Sequence, residues 1–246
     1  MTGTHPRPEP AVPPGLRLYA IGDVHGRADL LARLLAEIET DAVRRPSLAK
    51  RVVFLGDYVD RGLQSKEVID LVLGAAPAGA EVVTLMGNHE EMMHRFLGDT
   101  SVGRSWILNG GDATLASYRI EPPAVFAADA RYRQAQTELL ERLPDRHLRF
   151  LEGLAVSHMA GDYLFVHAGV RPGVPLERQR REDMLWIRDR FLRSEEDFGK
   201  IVVHGHSIEE EPVVRPNRVG IDTGAYATGK LTCLVLEGAA RSFLST

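Results

Sequence analysis

Arg51-Val52-Val53-Phe54-Leu55-Gly56-Asp57-Tyr58-Val59-Asp60-Arg61-Gly62 carries an apolar run straight into a glycine, two carboxylates and a guanidinium. Four consecutive apolar residues before a glycine read as a short strand covered on both faces. Residues 65–73 then show helical spacing, so the order is strand, polar turn, helix. The same order occurs upstream. The run Leu16–Ile21 ends at Gly22-Asp23-Val24-His25-Gly26, and Leu30, Leu31, Leu34, Leu35 and Ile38 mark a helix over 28–38. Downstream, a third run over 81–86 ends at Gly87-Asn88-His89-Glu90. Asp23, Asp57 and Asn88 therefore recur at intervals of 34 and 31 residues. A βαβ unit needs roughly 30 residues or more and places its strands in parallel, with their carboxyl ends at one edge. The three polar residues are expected to converge there, in an α/β fold.

The middle of the chain reads as helical and less regular. Helices are expected at 91–97 and 132–143, the latter stopped by Pro144, with a turn at Asn109-Gly110-Gly111 inside 106–118. This stretch is expected to form a small cap beside the site. From residue 155 the pattern becomes β. A hairpin is expected from 155–158 and 163–167 around Ala160-Gly161-Asp162, followed by strands at 201–204, 218–221 and 231–236. His167-Ala168-Gly169 and His204-Gly205-His206 close two of these strands.

With 246 residues, 44% of them hydrophobic, the chain can bury a large core as one domain. The expected division is a catalytic domain over 16–246 behind a disordered leader over 1–15. That leader carries Pro6, Pro8, Pro10, Pro13 and Pro14 and no hydrophobic signal core. A net charge of −4 gives no global basic field, and no apolar run is long enough to span a bilayer. Neither nucleic acid nor membrane is expected as a partner, and no oligomeric state is implied. Cys233 is the single cysteine, so no internal disulfide can form and the cytoplasm is the expected compartment.

Asp, His and Asn spread over separate strand ends are the donors that divalent cations take. Asp23 and His25, one residue apart in a turn bracketed by glycines, can face one ion. Asp57 offers two oxygens and can bridge two cations held about 3.5–4 Å apart. Asn88 contributes a carbonyl oxygen and, with His167 and one histidine of His204-Gly205-His206, completes a second ion. Coordination lowers the pKa of water by several units, so a hydroxide shared by both ions is the expected nucleophile. His89, beside a ligand, is placed to protonate a leaving oxygen, with Asp60 as its orienting carboxylate. Arg61 can grip two oxygens at once, which favours a phosphoryl substrate over a neutral ester or amide. Singly, each motif has an ordinary structural reading: a Gly-Asp turn, an Asx turn at Asp60, a surface ion pair for Arg61. As an ordered set at five strand ends they point to a dinuclear metal hydrolase.

The motifs at 22–26, 56–62 and 87–90 resemble the signature of the phosphoprotein phosphatase family of calcineurin-like metallophosphoesterases. Residues 106–111, 186–190, 204–207 and Ile221-Asp222-Thr223-Gly224 through Leu231-Thr232 are similar to its bacterial and bacteriophage-lambda type, over residues 16–238 in all. The resemblance implies a four-layer α/β/β/α sandwich with a small helical cap. It implies Asp23, His25 and Asp57 on one ion, and Asp57, Asn88, His167 and His206 on the other. His206 is selected over His204 because the family's ligand follows a glycine. His89 would be the acid, Asp60 its partner, and Arg61 with Arg188 the phosphate clamp, Arg190 lying in the same stretch. Two divalent ions are implied, manganese first, with iron and zinc as the other usual ions.

The expected reaction is hydrolysis of phosphate monoesters in a phosphoprotein or a small phosphorylated molecule, phosphoserine and phosphothreonine first. The stretch at 222–232 is also similar to symmetrical dinucleoside tetraphosphate (Ap4A) hydrolases, and a phosphoprotein-binding module without catalysis is a third reading. The Tyr-Cys motif of the eukaryotic enzymes is missing, Tyr226 standing instead in Gly224-Ala225-Tyr226-Ala227. Trp106 and Tyr118, the aromatic residues available to a nucleobase, read as core residues.

Overall fold

The computed structural model describes residues 9–246. Strands β1 (Leu16–Ile21), β2 (Ala49–Phe54) and β3 (Glu81–Thr84) alternate with helices α1 (Ala28–Val43) and α2 (Ser65–Gly74), the expected βαβ rhythm. Helices α3 (Asn88–Gly98), α4 (Gly103–Trp106), α5 (Asp112–Ser117), α6 (Asp129–Arg142) and α7 (Asp145–Gly153) follow. The second half runs β4 (Ser157–Ala160), β5 (Tyr163–Val166), α8 (Arg181–Trp186), α9 (Asp189–Leu192), β6 (Ile201–His204), β7 (Val213–Val214) and β8 (Arg218–Gly220). Then come α10 (Ala225–Thr228), β9 (Thr232–Glu237) and β10 (Ala240–Ser245). Among the described residues the strands form two sheets, ordered β10-β9-β1-β2-β3 and β4-β5-β6-β8-β7.

Side-chain alternation in β1 shows how the layers are made. Leu18 and Ala20 enter the core between the sheets, where they share a cluster with Val53, Leu55, Phe165, Val203 and Leu234. Tyr19 and Ile21 point the other way, into a cluster with Leu31, Leu34, Val68 and Ile69 of α1 and α2. Both faces of β1 are covered, which is why its sequence shows an apolar run rather than alternation. On the far face of the second sheet, Leu164, Val166 and Val202 pack on Phe191. The result is the expected four-layer order of helices, sheet, sheet and helices.

Several boundaries differ from expectation. β3 ends at Thr84; Leu85 still donates its N–H to Phe54 O of β2 (2.9 Å) and forms an isolated bridge to Ala155. α3 starts at Asn88 rather than 91, so Asn88 and His89 occupy its first turn. Strands β7 and β10 were not expected; β10 is an edge strand that is mostly exposed, with no apolar pattern to reveal it. The 88–153 stretch is helical as expected, but it is continuous with the α1 and α2 layer. Trp106, Leu115, Tyr132 and Leu139 join the same apolar cluster. Of the expected disordered leader, residues 1–8 lie outside the described residues. Residues 9–15 differ from that expectation: Val12 is buried and donates its N–H to Gly238 O (3.0 Å), and Ala11 donates to Asp162 Oδ2 (3.0 Å). Among the described residues no helix is long and apolar enough to cross a membrane.

Candidate dinuclear metal site

Asp23 leaves β1, Asp57 leaves β2, Asn88 opens α3, His167 leaves β5 and His206 follows β6. With His25 they meet in one buried place, none more than 5% exposed. Asp57 is central. Its Oδ2 lies 3.3 Å from His25 Nε2 and its Oδ1 lies 3.4 Å from His167 Nε2, so its two oxygens address two groups of donors. His25, Asp57 and His89 bring ligating atoms within 4.8 Å of one another, as do Asp57, His167 and His206. Asn88 Oδ1 sits 2.9 Å from His167 Nε2, and His206 donates its N–H to Asp23 Oδ2 at 2.9 Å. Gly205 is required here, since a Cβ at that position would run into the Asp23 carboxylate.

The donor atoms are left unpaired in a way that cations resolve. His25 and His167 each hold a carbonyl oxygen with Nδ1, Val59 O and Leu55 O respectively, both at 2.9 Å. A carbonyl only accepts, so each Nδ1 carries the proton and each Nε2 presents a lone pair. Asp23 Oδ1, His25 Nε2 and His206 Nε2 are buried with no hydrogen-bond partner. His167 Nε2 and Asn88 Oδ1, both acceptors in this tautomer, face each other. Each unpaired buried acceptor costs about 1–3 kcal/mol. Burial, reinforced by Asp222 and Asp57, pushes the Asp23 carboxyl well above the usual range. Burial lowers His167, and burial with His167 nearby pushes His206 down to about 2. Crowded carboxylates and neutral imidazoles form the donor set that two divalent cations require, and the residues present fit them.

His89 belongs to the first donor group, its Nε2 3.8 Å from Asp57 Oδ2, whereas Asp23 brings no ligating atom into either group. His89 Nδ1 lies 2.7 Å from Asp60 Oδ2, and Arg61 Nη2 lies 3.1 Å from His89 Nε2. Burial lowers the His89 pKa, but Asp57 and Asp60 outweigh it and the net direction is upward. Asp60 is fully buried and accepts from Trp106 Nε1 (3.0 Å) and Thr114 Oγ1 (2.6 Å). Trp106 is therefore a core residue with its N–H committed, and Tyr118, also buried, bonds His147. Arg188 is exposed at the start of α9 and its charge reaches His206, whereas Arg190 lines a surface hollow with Arg193 and Glu196. His204 lies outside the donor groups and packs edge-on against Phe191 at 5.0 Å.

Three contributors carry no signal of role in the sequence. Glu90, fully buried, accepts the N–H groups of Asp57 (2.8 Å), Tyr58 (2.8 Å), Val59 (3.2 Å) and Gly87 (2.9 Å), pinning the loop that carries the central carboxylate. Asp222, in the loop between β8 and α10, interacts electrostatically with Asp23. Tyr226 lies against Arg61. The loops are also strained. His25, Asp57, Asp60, Arg61 and His206 all hold left-handed backbone, with φ between 45° and 71°. Among the described residues only two other non-glycine positions, Ala78 and Arg119, do so. Each such residue costs of order 1 kcal/mol, and strain of this kind concentrates where surrounding contacts over-determine a site.

The sequence profile of the calcineurin-like phosphoesterases matches residues 16–229, which hold every residue of this site. The chain belongs to the calcineurin-like phosphoesterase family. Membership agrees with the resemblance carried by the motifs at 22–26, 56–62 and 87–90. Among curated relatives, the chain is 26% identical to an asymmetrical bis(5'-nucleosyl)-tetraphosphatase PrpE of Anoxybacillus flavithermus, over 87% of this chain and 88% of that one. It is 27% identical to serine/threonine-protein phosphatase 2 of Salmonella typhimurium, over 87% and 90%. Among solved structures, a cold-active protein-tyrosine phosphatase of a Shewanella species shares the fold with a TM-score of 0.55 at 17% identity, covering 95% of this chain and 83% of that one. As a calcineurin-like phosphoesterase, the chain is a hydrolase of a family that uses divalent metals.

Proposed function

We propose that this phosphoesterase hydrolyses phosphate monoesters, with phosphoserine and phosphothreonine side chains as its substrate class and two manganese ions as its preferred cofactors. The observation that carries this reading is the His89–Asp60 pair with Arg61 beside it, a proton donor and an anion clamp at the edge of the donor cluster. Asp23, His25 and Asp57 would hold one ion, and Asp57, Asn88, His167 and His206 the other. When bound, the ions supply Lewis acidity and a water of lowered pKa. Arg61 orients the phosphoryl group through its fork of N–H donors, with Arg188 approaching from α9. Asp60 fixes the His89 ring, and Nε2 gives its proton to the departing alkoxide as the P–O bond breaks. One in-line displacement inverts configuration at phosphorus, so a chiral phosphate product with retained configuration would overturn the mechanism.

Hydrolysis of a dinucleoside tetraphosphate is the second reading, favoured by the similarity to the tetraphosphatase relative, which is as extensive as that to the protein phosphatase. Against it, Trp106 and Tyr118 are buried and offer no face to a base. A side-by-side assay with manganese added, using a phosphoserine peptide and diadenosine tetraphosphate, decides between them. A higher kcat/KM for the peptide supports the proposal, and the reverse order transfers the enzyme to the other class.

A further inference from the structure

The guanidinium of Arg61 is covered by an aromatic ring. Its central carbon lies 4.8 Å from the centroid of Tyr226, well inside cation–π range. Tyr226 is the second residue of α10, a four-residue helix closed by Gly224 and Gly229, both in left-handed conformation. That turn is tied down: Gly224 N–H donates to Asp222 Oδ1 and Arg27 Nη1 donates to Ala225 O, both at 2.9 Å. The ring also meets His25 edge-on at 5.4 Å. From the opposite side, Arg61 N–H donates to Gly110 O at 3.1 Å, and a Cβ on Gly110 would lie 2.8 Å from Arg61 Cγ. Backbone and side-chain stem are thus held at Gly110 and the guanidinium by α10.

We propose that Tyr226 is a positioning residue: its ring holds the Arg61 guanidinium toward the phosphate site and so strengthens binding of substrate and product phosphate. The inference rests on Arg61 gripping phosphate, as proposed above. A carboxylate could fix an arginine equally well, but it would occupy the in-plane N–H groups and offset the charge that an anion needs. An aromatic face fixes orientation while leaving those donors free. The one side-chain hydrogen bond Arg61 makes among the described residues is to the His89 imidazole, not to an acid. Tyr226 remains partly exposed, so its replacement leaves the core intact.

The test uses the full chain loaded with manganese and four variants: Tyr226→Ala, Tyr226→Phe, Arg61→Ala and the double Tyr226→Ala/Arg61→Ala. Inorganic phosphate affinity is measured by calorimetry, KM and kcat with p-nitrophenyl phosphate, and Tm by scanning calorimetry. Tyr226→Ala is expected to weaken phosphate binding and raise KM by about 3- to 30-fold, with a smaller change in kcat and an unchanged Tm. Tyr226→Phe restores both constants, because stacking needs the ring and not the hydroxyl. In the Arg61→Ala background the alanine at 226 adds nothing. The proposal is overturned if Tyr226→Ala binds phosphate as the parent does while Arg61→Ala does not, or if the loss at 226 persists without Arg61. An Arg61→Ala variant with full phosphate affinity would remove the clamp reading itself, and this inference with it.

Discussion

His89 Nδ1 lies 2.7 Å from Asp60 Oδ2, and that carboxylate is itself held by Trp106 and Thr114. The imidazole is thereby fixed in rotation as well as position, with Nε2 turned toward the donor cluster. Removing either member separates proton donation from metal binding. His89→Ala is expected to lose about 10²–10⁴-fold in kcat on an alkyl phosphate while keeping its metal content. The loss should shrink on p-nitrophenyl phosphate, whose leaving group needs no proton. Equal losses on both substrates, or loss of metal by elemental analysis, would refute the acid role.

Asp57 stands between both donor groups, so its replacement should affect both ions. Asp57→Asn is expected to reduce bound metal by at least one ion per chain and to cut activity by roughly 10³-fold or more. Chelation of the parent enzyme should abolish turnover and lower Tm, because ions that bind the folded state stabilise it by mass action. Elemental analysis and scanning calorimetry with and without chelator provide the check. A chelated enzyme with full activity would defeat the metal assignment.

Glu90 touches no expected ligand atom with its side chain, yet four backbone N–H groups end on it. Glu90→Ala leaves them unpaired in a buried place and should cost about 2–4 kcal/mol of stability, read as a lower denaturant midpoint at constant m. Activity should fall with it, since the Asp57 loop loses its anchor. A midpoint within error of the parent would show that water replaces the carboxylate.

Asp70 predicts an acid limb away from the active centre. Burial pushes its carboxyl up, but hydrogen bonds from Arg146 and His147 outweigh it and bring the pKa down to about 2. A folded pKa below the unfolded value of about 3.9 gives stability that is present above about pH 4 and lost as the pH falls toward 2. Asp70→Asn should therefore lower stability at pH 7, by about 1 kcal/mol or less because the carboxylate is 32% exposed. The difference from the parent should close as the pH falls from 4 to 2. A constant difference across that range would show that the ion pair is not its source.

The parts legible in the sequence are those where burial or chemistry leaves a local mark. β1 and β2 are covered on both faces and appear as apolar runs, and the spacing of Asp23, Asp57 and Asn88 follows from the length of the βαβ units between them. Asp, His and Asn announce themselves because few other side chains bind divalent ions. Glu90 was not legible in role, because a carboxylate that serves backbone N–H groups has no required spacing. Tyr226 acts through a ring face on a residue 165 positions away in sequence. Residues 9–15 dock through the single buried side chain of Val12 and a few hydrogen bonds, which leave no pattern in composition, and β10 is too exposed to carry one.

The left-handed loops bear on how this protein would respond to laboratory evolution. At His25, Asp57, Asp60, Arg61 and His206 the backbone geometry suits glycine or asparagine better than the residue the chemistry demands. In the metal-free protein, replacement at the ligand positions His25, Asp57 and His206 would relieve local tension while extinguishing turnover. A screen for thermal survival alone would therefore enrich inert variants, and any search for a tougher enzyme must score catalysis in the same round.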